Sequence, residues 1–119
     1  MARCLAILAV FGIALAPIQD VSGQAVPPRL TCDVGPAAKT YGNTPWLVYS
    51  CSDSRSVVVL AAPGNPATPF YFILHPGTTG YQIEGEGTGD KGATDAAFVE
   101  LKKLSEHDIS ALIQESKQH

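Results

Sequence analysis

The segment Gly87-Thr88-Gly89-Asp90-Lys91-Gly92 has the spacing of a phosphate-cradling glycine loop. It lies between a run that alternates like a strand and one with helical periodicity, the local setting in which bare backbone amides meet a dinucleotide pyrophosphate at a helix start. The remainder of such a unit is missing, because no second parallel strand with a ribose-binding acid follows. Asp90 stands before Lys91 and Gly92 after it, which also breaks the P-loop pattern. The passage therefore reads as a strand-to-helix turn needing positive φ, and no cofactor is expected.

Glu84, Glu86, Asp90 and Asp95 fall within twelve residues. They are hard oxygen ligands on a glycine-rich stretch, a candidate set for a divalent cation such as Ca²⁺, although the spacing matches no EF-hand. His75, His107 and His119 are scattered, and no pair of them has metal-site spacing. Neither a GxSxG elbow nor an SxxK motif occurs, so no nucleophile can be matched to a base by spacing. The non-enzymatic reading is favoured. The alternative is a small periplasmic hydrolase or cation-dependent enzyme that gathers Glu84, Glu86 and Asp90 near His75.

Cys32 and Cys51 carry the clearest chemistry. The chain opens with a basic Arg3, an apolar run through residues 4–16, and a polar segment ending Gly23-Gln24-Ala25. These are the three parts of a cleavable signal peptide, with cleavage expected after Ala25. The apolar run is shorter than the roughly 20 residues a helix needs to cross a bilayer, and Cys4 precedes it, so no lipid anchor is implied. Residues 26–119 are then one small exported domain, periplasmic or secreted, without a stable membrane anchor. In an oxidising compartment its two remaining cysteines pair as a disulfide. Their spacing suits neither a CxxC redox site nor a zinc knuckle.

The elements that must position these groups follow from periodicity. Residues 30–34 form a short apolar segment with Cys32, and residues 35–45, rich in Gly, Pro, Ala and Asn, read as loop. Residues 46–51 alternate as a strand. The run Val57-Val58-Val59-Leu60 suggests a central strand buried on both faces. Residues 62–69 hold three prolines and read as an exposed connection. Residues 70–75 and 81–86 alternate again around Pro76-Gly77, with Tyr81 and Ile83 inward and Gln82, Glu84 and Glu86 outward. Short turns between strands imply an antiparallel meander.

The period then lengthens to about 3.6, with Ala97, Phe98, Leu101 and Leu104 on one stripe. Ser105 and Asp108 mark the capped start of a second helix that buries Ile109, Leu112 and Ile113. The expected fold is α+β: four to five antiparallel strands followed by two C-terminal helices packed on one face.

One sheet face then stays uncovered. Trp46, Tyr71 and His75 are candidates for an exposed aromatic surface that binds another protein or an envelope component, with the loops expected at residues 35–45 and 62–69 as the other candidate contact surface. The formal net charge of −3 is too mild for a nucleic-acid partner. The acids also outnumber the lysines from Glu84 onward, eight to four, so charge-driven recognition would sit in the C-terminal third. The signal peptide, single disulfide and size resemble small exported proteins of Gram-negative bacteria in general. Periplasmic lysozyme inhibitors are barrels throughout, whereas this chain ends in helices, and no family is assigned.

Overall fold

Period-two alternation held over successive segments produces one five-stranded sheet, β1 (Val34–Tyr41), β2 (Thr44–Ser50), β3 (Val57–Ala61), β4 (Phe70–Gly77) and β5 (Gly80–Gly87), followed by the helices α1 (Lys91–Leu101) and α2 (Glu106–Ser116). The computed structural model describes residues 29–119. The leader read at residues 1–25 and its cleavage point lie outside them. Strand order follows chain order, and every pair is antiparallel. This is the α+β meander with two terminal helices that the sequence implies.

The first strand corrects the sequence reading. Residues 35–45 are not loop: they complete a hairpin in which Ala38 pairs with Leu47 and Tyr41 with Thr44. Gly42 and Asn43 both take positive φ, 60° and 61°, as a two-residue hairpin turn between right-twisted strands requires. Pro36 is tolerated because β1 is an edge strand and its register shifts between Val34 and Ala37. Just before β1, Cys32 is joined by a disulfide to Cys51, just after β2. The bridge therefore closes the open end of the hairpin.

The helices cover one face. Trp46, Val48, Val57, Val59, Phe72 and Leu74 from the sheet are buried with Ala97, Leu101, Ile109, Leu112 and Ile113 from the helices. Phe72 sits at the aromatic centre of this layer, with ring centroids 5.5 Å from Trp46, 5.0 Å from Phe70 and 6.1 Å from Phe98. Ser105 caps α2 in a reciprocal box with Asp108, as its spacing implies. The buried end of α2 is tied to the sheet by Ser116, whose hydroxyl donates to the Ile113 carbonyl and accepts from the Ser50 hydroxyl, both at 2.7 Å.

Two further expectations change. Residues 62–69 are only partly exposed: Ala62, Asn65 and Ala67 are buried. Asn65 explains this, since its amide donates to the Pro45 carbonyl and its Oδ1 accepts from Ala67 N, so a polar side chain replaces the missing ladder. The central strand β3 is buried on one face only, with Val58 half-buried and Leu60 exposed. Both helices lie on the Val57 and Val59 side, and among the described residues no second layer covers the other.

Candidate functional site: the open face of the sheet

Alternation sends Leu47, Tyr49, Val58, Leu60, Tyr71, Ile73, His75, Gln82, Glu84 and Glu86 away from the helices. The register arranges them in two rows. Leu47, Leu60, Tyr71 and Glu86 are successive partners across β2 to β5, and so are Tyr49, Val58, Ile73 and Glu84. Each row is apolar or aromatic through the middle strands and ends in a carboxylate on the edge strand. Leu60 and Tyr71, each 38% exposed, are neighbours in the first row. Along it runs a groove of about 640 Å³, floored by Leu47, Leu60 and Tyr71, walled by Pro63 and Pro69, and reaching Glu86.

Of the three residues read as a shared aromatic surface, the structure brings two together. Tyr71 and His75 lie four residues apart on β4, with Ile73 between them on the same face, and both point to the open face. Trp46 does not join them, because it alternates with Val48 and Ser50 toward the helices and is fully buried. Its indole N–H donates to the Tyr41 carbonyl and to Thr44 Oγ1, both at 3.0 Å, so the polar end of the ring is satisfied inside the fold. Leu47, Leu60, Pro63 and Pro69 take its place on this face. The strand alternation already placed Leu47 opposite Trp46. Only the structure shows which of the two faces water.

The acids do not gather. Glu84 Oε2 lies 3.2 Å from His75 Nε2. Glu86 Oε1 accepts from the Tyr71 hydroxyl at 3.3 Å, and that carboxylate is the main reason the phenol titrates above its ordinary range. Asp90 caps α1 by accepting from Ala93 N, and Asp95 pairs with Lys91 along the helix surface. Among the described residues no three His, Cys, Asp or Glu side chains stand where they could hold a metal ion. The cation set is thus corrected: Glu84 and Glu86 belong to the open face, and the two aspartates serve the helix.

The glycine segment is likewise occupied by the fold. Thr88 N and Gly89 N donate to the Pro69 carbonyl and Asp90 N to that of Pro66. Amides spent on neighbouring backbone are not free to cradle a phosphate. Gly87 has φ 143°, and a Cβ at Gly89 would land on the Ala67 carbonyl oxygen. Both glycines are therefore required by the close crossing of this passage over residues 66–70.

Among the described residues, no helix is long and apolar enough to cross a membrane. Compared with known proteins, the chain matches no family model, no curated protein and no solved structure at a significant level.

Proposed function

We propose that this chain is a non-enzymatic exported protein, periplasmic or secreted, that binds another protein or an envelope component through the open face of its sheet. The observation that carries this reading is the exposed Leu60–Tyr71 pair set in a contiguous apolar row beside a groove of about 640 Å³. Contiguous exposed apolar area costs solubility and invites aggregation unless a partner covers it. Aromatic anchors beside a pocket are also the usual centre of binding energy. The disulfide between Cys32 and Cys51 supports an oxidising compartment. Glu84 does meet His75, but Glu86 accepts from the Tyr71 hydroxyl and Asp90 caps α1, so the full set that the hydrolase alternative needs is not gathered.

A photo-reactive amino acid placed at position 71, and in a second protein at Val99 on the exposed side of α1, tests the reading in the native envelope. Val99 is 48% exposed and serves as the control. A discrete adduct from position 71 and none from position 99 is expected. No adduct from position 71, or equal adducts from both, contradicts the proposal.

A further inference from the structure

We infer that the occupant of the open face is a polypeptide segment carrying bulky apolar side chains together with Lys or Arg. This rests on the binding reading above and specifies its partner. Leaving His75 aside, the charged residues of the five strands are Lys39, Glu84 and Glu86. Lys39 is the register partner of Trp46, on the helix side, and its ammonium reaches Glu115 Oε1 of α2 at 3.1 Å. The strand charges on the open face are therefore both negative.

Among the described residues, neither carboxylate is neutralised by a Lys or Arg. The closest partner of Glu84 is His75, which is charged only when protonated, and that of Glu86 is the uncharged Tyr71 hydroxyl. Among the described residues no lysine or arginine forms an ion pair with either. Each apolar row thus leads to an acid with no fixed counter-charge, at the rim and not in the middle.

Rim charges set orientation and partner choice, while the apolar centre supplies the affinity. A segment that lays an apolar side chain between Leu60 and Pro63 and a Lys or Arg beside Glu86 would match both. The other occupants fit less well. A second copy of this face offers carboxylates and no cation. An anionic lipid surface or a nucleic acid repels Glu84 and Glu86 at short range.

Selection of a random peptide library on the disulfide-bonded protein tests this. Enriched peptides should combine Leu, Ile, Phe or Trp with Lys or Arg. A synthesised member should bind about fivefold more weakly to the Glu84→Gln/Glu86→Gln protein, the loss expected for two rim pairs. It should also bind much more weakly to Leu60→Thr/Tyr71→Thr. Neutral or acidic enriched peptides that still need Leu60 and Tyr71 overturn the charge assignment and leave the binding face standing. So does indifference of a cationic peptide to the glutamine pair. No enriched peptide, or peptides indifferent to Leu60→Thr/Tyr71→Thr, overturns both. Co-sedimentation with phosphatidylglycerol vesicles, or self-association in sedimentation velocity that Leu60→Thr abolishes, also contradicts a cationic polypeptide partner.

Discussion

Tyr71 and Glu86 are register partners on β4 and β5, and their side chains meet on the uncovered side of the sheet, the phenol donating to Oε1 at 3.3 Å. The Glu86 carboxylate opposes ionisation of Tyr71 more than any other influence, ahead of desolvation. Replacing Glu86 by Gln should bring the Tyr71 titration down toward the ordinary range. Ultraviolet difference titration of the two proteins checks this. An unchanged titration would mean that the two side chains do not meet in solution.

Tyr41 gives the alkaline limit of the fold. Burial first, then the Glu115 and Glu100 carboxylates, push its phenol up to about 12. An unfolded tyrosine ionises near ~10. Between those values the unfolded state gives up a proton that the native state keeps, so stability falls as pH rises. The contribution is whole below the unfolded value and is lost as pH climbs through the folded one. Tyr41→Phe should flatten this alkaline slope in denaturant midpoints measured against pH, while the Trp46 indole keeps its acceptor, the residue 41 backbone carbonyl.

The two aromatic residues that fall on opposite faces should behave in opposite ways. Trp46→Ala removes a fully buried ring from the helix-covered layer and should cost about 3 to 5 kcal/mol. Tyr71→Ala, at an exposed site, should cost less than about 1 kcal/mol. Urea unfolding of both variants measures the difference, and equal costs would place the two on the same face.

The disulfide closes a loop of about 20 residues, so Cys32→Ser/Cys51→Ser should lose about 3 kcal/mol of stability. Chemical denaturation of the oxidised protein and of the double variant gives the value directly. Free thiols at both positions in the native protein would remove the support for an oxidising compartment.

Glycine positions separate close packing from backbone preference. Gly89→Ala drives a methyl into the Ala67 carbonyl and should lower stability by about 3 kcal/mol or prevent folding. Gly64 has φ 87° with nothing near its would-be Cβ, so Gly64→Ala should cost only about 1 kcal/mol of backbone strain. Thermal melts of the two variants distinguish these cases.

Much of this fold can be read from the residues, and the places where reading fails have physical causes. Strand alternation in residues 46–51, 70–75 and 81–86 and the helical stripe of Ala97 and Leu101 carry strong period signals, so the meander and its helices follow. The first strand contains Gly35, Pro36, Ala37 and Ala38, whose propensities argue against pairing. An edge position and a register shift overrode them, and Gly42-Asn43 was the hairpin signal that the loop reading passed over. The face of Trp46 could not be read at all. Its own strand alternates cleanly, but both sides of that alternation are apolar, and only the helix packing decides which side is covered. Proximity in sequence likewise misled at Glu84, Glu86, Asp90 and Asp95, because the chain changes from strand to helix between the second and third of them.

The central claim is that the uncovered face, and not a helix surface, meets the partner. It is tested most directly by repeating the position-71 photo-crosslink in the envelope with Leu60→Thr in the same chain. Leu60 is an exposed groove residue, and the substitution puts a β-branched strand former in its place. Loss of the adduct from a protein that still unfolds cooperatively near the parent midpoint is the result this structure predicts. An undiminished adduct would contradict it.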